Sequence, residues 1–163
     1  MHECWKDWGK VILRAAIVLV LLFYGCWPIC LEGGSMEPTY ESGNIVCVSW
    51  AAGKVGGYDR GDVVLFDYET ENEKKTLLKR VIAVAGDHLE IDADGAVKVN
   101  GVVQEEPYIM GKTDGAVNLW IPSDTVFVMG DHRNASFDSR NIGVIDVQEI
   151  QGKVLFRLFP FWK

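Results

Sequence analysis

Between Val11 and Leu31 the chain is apolar at nearly every position, and Arg14 carries the only charge. That length is what a helix needs to cross the hydrocarbon core of a bilayer. Trp5 and Trp8 precede the run, and Tyr24 and Trp27 stand near its far end, as aromatic belts do. Pro28 is placed to end or kink such a helix. Beyond Leu31 the pattern changes. Asn44–Val48, Asp62–Tyr68, Leu77–Val84, Leu89–Ile91, Ala96–Val99 and Thr125–Met129 are short β-branched or apolar runs separated by Gly, Asp and Asn clusters. They predict strands joined by turns. IDADGAVKVNG predicts a hairpin turning at Asp94-Gly95. The closing VLFRLFPFWK is too short for a second span and predicts a core strand, with Phe159, Phe161 and Trp162 resting at a lipid surface. No internal repeat and no long amphipathic helix competes with this mainly β reading.

The flanking charges orient the predicted span. Lys6, Lys10 and Arg14 lie on its N-terminal side, and no further Lys or Arg occurs until Lys54. The positive-inside rule puts the N-terminus in the cytoplasm and the β-rich part outside. The expected division is a cytoplasmic N-terminus over 1–10, a transmembrane helix over 11–31 and an extracytoplasmic β-rich domain over 32–163. A cleaved signal peptide is the alternative for the same segment. No convincing small-x-small site follows the run, however, and Phe23 and Tyr24 are bulky where a lipoprotein site at Gly25-Cys26 needs small or aliphatic residues.

Composition narrows the function. The 163 residues suit about one domain. A net charge of -7 excludes a general basic surface for nucleic acid. Of Cys4, Cys26, Cys30 and Cys47, only Cys47 lies clearly in the exported part, so no disulfide is expected within the catalytic region. His2, His88 and His132 have no metal-ligand spacing, and no metal or organic cofactor is expected.

Directly behind the apolar run stands GGSMEPT, which places Ser35 at the outer membrane face. A nucleophilic serine needs a base. His132, in GDHRNASFDSR with Asp131 and Asp138 nearby, offers a Ser-His-Asp triad, although nothing in the surrounding spacing supports one. Lys79 is the sharper candidate. In LLKRVIAVAGD, alternation sets Leu77, Lys79, Val81 and Ala83 on one face and Leu78, Arg80, Ile82 and Val84 on the other. Burial among aliphatic side chains favours a neutral amine, the form a general base requires. Lowering a lysine from about 10.4 to about 7.5 takes roughly 4 kcal/mol. Arg80 cannot deprotonate, so it needs an acidic partner or solvent.

These segments together resemble type I signal peptidases. GGSMEPT resembles their S-M-x-P-T box, RGDVVLF the short G-D-hydrophobic box, LLKRVIAVAGD the K-R-V-I-x-x-x-G-D box and VFVMGDHRNASFDSR the final G-D-N-R-x-x-S-x-D-S-R box. They occur in family order behind an N-terminal anchor. The resemblance implies a coiled β-sheet catalytic domain, like that of signal peptidases and SOS-type repressors, in the compact Gram-positive form. It implies Ser35 as nucleophile, Lys79 as general base, Ser136 as a hydrogen-bond partner orienting Lys79, Asp138 paired with Arg80, and Arg140 in the same network. It also implies cleavage of exported preproteins after small residues at -1 and -3. The precursor would pair near Glu32–Gly34 and Leu77–Lys79, with Glu32, Gly33, Gly34, Met36, Leu77 and Leu78 as substrate-binding candidates. The expected partners are preproteins and the lipid bilayer, close to the secretion translocon.

Three departures stand out. Gly33 occupies the position where some members carry a serine that donates to the oxyanion, so the backbone N–H of Ser35 must serve. His132 stands at the usual asparagine position, and Asn134-Ala135 replaces the commoner pair. Only a hairpin or two fits between Asp87 and Thr125. The rival readings are a self-cleaving SOS-type repressor, against which the Val11–Leu31 span argues, and a non-catalytic anchored β-module that docks secreted proteins or pilins.

Overall fold

The structure, a computed structural model, describes residues 8–16, 25–69 and 74–160. Residues 8–16 are helical (α1), with Trp8, Val11, Ile12 and Leu13 exposed. No helix among the described residues is long and apolar enough to cross a membrane. Positions 17–24 of the predicted span, together with Phe161 and Trp162, lie outside the described residues.

The far end of the predicted span is not helical. Trp27–Cys30 is strand β1, paired antiparallel to β2 (Ile45–Ser49), and Leu31 is buried in the core. Apolar runs at a domain boundary serve a sheet as well as a helix, and here backbone pairing with β2 decides for the sheet. The same pairing corrects the cysteine reading. Cys26 immediately precedes β1, Cys47 lies in β2, and the two form a disulfide with Cα atoms 5.4 Å apart.

Two antiparallel sheets carry the domain. After β2 come the short helix α2 (Trp50–Gly56), then β3 (Val63–Glu69) and β4 (Lys74–Val84). The smaller sheet follows: β5 (His88–Ile91), β6 (Val97–Val99), β7 (Val102–Val103) and β8 (Val117–Trp120). The chain then adds β9 (Thr125–Met129), α3 (Ser139–Ile142), β10 (Ile145–Asp146) and β11 (Ile150–Phe159). Strand order is β1-β2-β11-β3-β4-β9-β10 in the large sheet and β7-β6-β5-β8 in the small one. The six predicted strands are all present, and the hairpin at Asp94-Gly95 joins β5 to β6 in the register Ile91↔Val97. The closing strand begins earlier than expected and is internal, lying between β2 and β3.

The simple alternation read for β4 holds only for part of the strand. Leu77 and Val81 pack with Val64 and Phe66, as one face requires. A register shift against β9 between Val81 and Ala83 then reverses the parity. Val84 therefore joins the Val81 side, while Ile82 and Ala83 turn toward Leu89, Ile91 and Phe127 at the small sheet. A separate cluster of Leu31, Met36, Val46, Val48, Val63, Leu65 and Leu78 lies beneath the turn that carries Ser35.

Candidate active site

Ser35 sits on the turn between β1 and β2. Gly33 enters that turn with φ +87°, a region L side chains disfavour. Met36 is 3% exposed and anchors the turn against Leu31 and Leu78, so the residue after the serine fixes the loop by burial. Tyr40 N–H closes back on Met36 O at 2.8 Å.

Lys79 lies opposite Val64 in the β3–β4 ladder and is 2% exposed. Its Nζ is 2.9 Å from Ser35 Oγ and donates to Leu78 O at 3.0 Å. Burial lowers its pKa to about 8, against the opposing pull of the Asp138 and Asp131 carboxylates. Ser35 and Lys79, 44 positions apart, thus meet at hydrogen-bond distance.

The ion pairs differ from the expected pairing. Arg80 does not pair with Asp138. Its Nε and Nη2 bind the two oxygens of Asp131 at 2.8 and 2.6 Å, and its guanidinium stacks 4.2 Å from the Tyr108 ring centroid. Asp131 also accepts from Thr39 Oγ1 at 2.5 Å, which ties the end of the turn that carries Ser35 to β4 through Arg80. Asp138 pairs with Arg140 instead, through Nε and Nη2 at 2.9 Å each, and caps α3. Burial pushes the Asp138 carboxyl up, but hydrogen bonds from Arg140 and the Gly130 N–H outweigh it and hold the group below its ordinary value. The reason is positional. Arg80 and Asp131 extend from the paired β4–β9 edge, whereas Asp138 is drawn to its own helix start and to Arg140 two residues on.

Ser136 lies beside the turn that carries Ser35 but does not hydrogen-bond Lys79; its Oγ is buried, makes no hydrogen bond of full geometry among the described residues, and helps to hold down the Asp138 carboxyl. Gly130 makes this proximity possible. A Cβ there would stand 2.2 Å from Ser136 Oγ and 2.5 Å from Ser35 O. His132 donates its backbone N–H to Ser35 O at 3.1 Å, and its Nδ1 lies 3.3 Å from Gly34 O. It does not reach the serine as a triad base in any contact of the structure. Behind this layer Arg133, 1% exposed, is bound by Glu106, Thr113 Oγ1 and Gly130 O.

Thr39, Gly130, Arg133 and Glu106 were not identified from sequence as site residues, and Asp131 entered only as an acid for the His132 triad. Asp131 and Arg133 stand in the same motif as Ser136, so their type was visible and their partners were not. Glu106 carries no motif signal at all.

A cavity of about 230 Å³ opens beside Ser35 and Lys79, lined by Glu32, Gly33, Met36, Leu77 and Leu78 together with Ile29, Cys30, Leu31, Tyr40, Leu65 and Thr76. Gly34, also expected on the substrate side, is not part of this lining. β9 pairs with β4 only from Arg80 onward, so among the described residues no second strand covers Leu77–Lys79 on the side away from β3. Such an edge can accept an extended peptide. Among the described residues no three His, Cys, Asp or Glu side chains group as metal ligands.

The family model "Signal peptidase, peptidase S26" matches residues 5–159. The chain belongs to the S26 signal peptidases. Signal peptidase IB of Staphylococcus aureus strain COL is 34% identical over 180 residues, covering 96% of this chain and 92% of that protein. Signal peptidase I of Bacillus caldolyticus is 36% identical over 146 residues, covering 80% and 78%. Among solved structures, a signal peptidase I from Enterococcus faecalis V583 aligns with a TM-score of 0.52 and 25% identity, over 61% of this chain and 97% of that one. This S26 signal peptidase is therefore an enzyme of the signal peptidase I kind, and its mainly β, two-sheet domain is the family's.

Proposed function

We propose that this S26 enzyme removes N-terminal signal peptides from exported preproteins with a Ser35/Lys79 dyad. The observation that carries the reading is the 2.9 Å contact between Ser35 Oγ and a lysine buried to 2% exposure. With its pKa at about 8, roughly a quarter of Lys79 is neutral near pH 7.5, against about a thousandth for an ordinary lysine.

The chemistry follows. The preprotein lies extended along the open edge at Leu77–Lys79 and beside Glu32–Gly34, with its scissile carbonyl at Ser35. Neutral Lys79 takes the hydroxyl proton as Ser35 Oγ attacks the carbonyl carbon. The oxyanion is stabilised by the Ser35 N–H. Collapse expels the new amino terminus of the mature protein, protonated by the Lys79 ammonium, and leaves the signal peptide as an ester on Ser35. Water, deprotonated by Lys79, hydrolyses the ester. The cavity is small, which suits Ala-like residues at -1 and -3. Ser136, whose hydroxyl is buried beside the turn that carries Ser35 and makes no hydrogen bond of full geometry, is the group we assign to hold the Lys79 amine as its proton is exchanged. Asp131 with Arg80, and Asp138 with Arg140, fix the frame around it.

We place the chain in the plasma membrane with a cytoplasmic N-terminus and the β-domain outside. The flanking charges and the apolar run support this. The anchor ends before β1 rather than at Leu31, because Trp27–Cys30 is committed to the sheet. Tethering Ser35 at the interface raises its effective concentration toward membrane-embedded signal peptides.

The test is preprotein shortening by the purified full chain in detergent. Ser35→Ala and Lys79→Ala are expected to abolish it. Full processing by Lys79→Ala would sink the dyad, and no processing of several preproteins by the unmutated chain would favour the docking module.

A further inference from the structure

On the proposed mechanism the oxyanion donor is the peptide unit Gly34–Ser35, and that peptide is gripped from its carbonyl side. Gly34 O accepts the Glu37 backbone N–H at 3.2 Å, and His132 Nδ1 lies 3.3 Å from the same oxygen on top of that bond. The Glu37 carboxylate stands over Gly34, where a Cβ would meet Glu37 Oε1 at 2.8 Å, and its Oε2 is 3.9 Å from the same Nδ1. The backbone N–H of His132 holds the next carbonyl, Ser35 O, at 3.1 Å. One residue thus contacts the carbonyls of both Gly34 and Ser35.

We propose that His132 is a positioning residue for the oxyanion donor: its Nδ1–H, donated to Gly34 O, fixes and polarises the peptide whose N–H faces the substrate oxygen. This rests on the reading of Ser35 as nucleophile. A peptide group is planar, so fixing its C=O fixes the direction of its N–H. A hydrogen bond accepted by the carbonyl also makes that N–H a stronger donor, because linked hydrogen bonds polarise one another. The Glu37 carboxylate favours a proton on the nitrogen nearest to it. The device has a purpose here, since Gly33 has no side chain to supply a second donor.

The geometry chooses the variants. In asparagine the amide nitrogen is bonded to Cγ, as Nδ1 is in histidine, so His132→Asn keeps a donor in the same place. His132→Leu has nearly the shape of asparagine but puts a methyl there. Loss of an oxyanion donor costs about 10²–10³ in kcat, and loosening one costs less.

The experiment uses the full chain in detergent with a preprotein. His132→Leu is expected to lower kcat about tenfold, with KM within about twofold, and His132→Asn to recover kcat to within about threefold of the unmutated enzyme. A peptide aldehyde, whose hemiacetal places an oxygen at the donor, should lose affinity in the Leu variant and regain it in the Asn variant. Equal kcat losses in the two variants, an effect on KM alone, or an unaffected Leu variant would each overturn the proposal while leaving the Ser35 assignment intact if Ser35→Ala is inactive. Inactivity of the unmutated chain would overturn both. Nitrogen-15 NMR of the imidazole in the unmutated chain gives a check that needs no variant: a proton resident only on Nε2 refutes the proposal, and one on Nδ1 supports it.

Discussion

Arg80 and Asp131, 51 positions apart, meet through two hydrogen bonds of 2.8 and 2.6 Å, with the Asp131 side chain fully buried. The pair also holds Thr39, so it links the strand that carries Lys79 to the turn that carries Ser35. Breaking a buried pair by removing one partner strands the other charge and costs about 3–5 kcal/mol. Asp131→Ala should therefore lower the thermal unfolding midpoint by about 10 °C and reduce processing. A midpoint within 2 or 3 °C of the unmutated protein would show that the pair does not hold this region.

Activity should follow the proton on Lys79. The buried amine titrates at about 8, so kcat/KM is expected to rise tenfold per pH unit on the acid side and to level off above roughly pH 8. A kcat/KM that stays flat from pH 6 to pH 8 would rule out Lys79 as the titrating base.

The same burial opposes folding. A lysine whose folded pKa lies below its unfolded value of 10.5 binds fewer protons when folded, so stability rises with pH from about 8 to about 10.5 and the penalty is complete below 8. Lys79→Met should be inactive yet more stable at pH 7, by up to about 3 kcal/mol, with the gain fading toward pH 10.5. Chemical denaturation at pH 7 and pH 10 measures it. A gain equal at both pH values would contradict the linkage.

Gly130→Ala should be damaging out of proportion to its size. The new methyl would overlap Ser136 Oγ and Ser35 O, and one must move. A displacement near 1 Å at a reacting group can cost about 10²-fold in rate. We expect kcat to fall at least tenfold, and Gly130→Ala at full activity would show that the Ser35–Ser136 contact is loose.

At Gly33 the structure sharpens the oxyanion argument. With φ +87°, a serine there is strained by about 1–2 kcal/mol, although no atom lies within 4 Å of its Cβ. Gly33→Ser is therefore expected to lower stability by that amount without raising kcat. A several-fold gain in kcat would mean that a side-chain donor can still be installed.

The chemistry was legible where it depended on residue type within a short segment. Ser35 behind an apolar run, two cations inside an aliphatic strand and the turn at Asp94-Gly95 follow from local pattern, because burial and backbone preference act over a few residues. The β-rich class and six of its strands came from the same source. What needed the tertiary structure was every choice among equivalent partners. Arg80 had two carboxylates within one motif, and only the β4–β9 register gives it Asp131 and leaves Asp138 to Arg140. Cys26 read as part of a span until Trp27–Cys30 paired with β2 and brought it to Cys47. The bulge after Val81 reversed a face that alternation alone had assigned. The sequence determined which groups this protein has for its chemistry. Long-range pairing decided which of them touch, because a hydrogen bond or ion pair is set by distances between segments that composition does not encode.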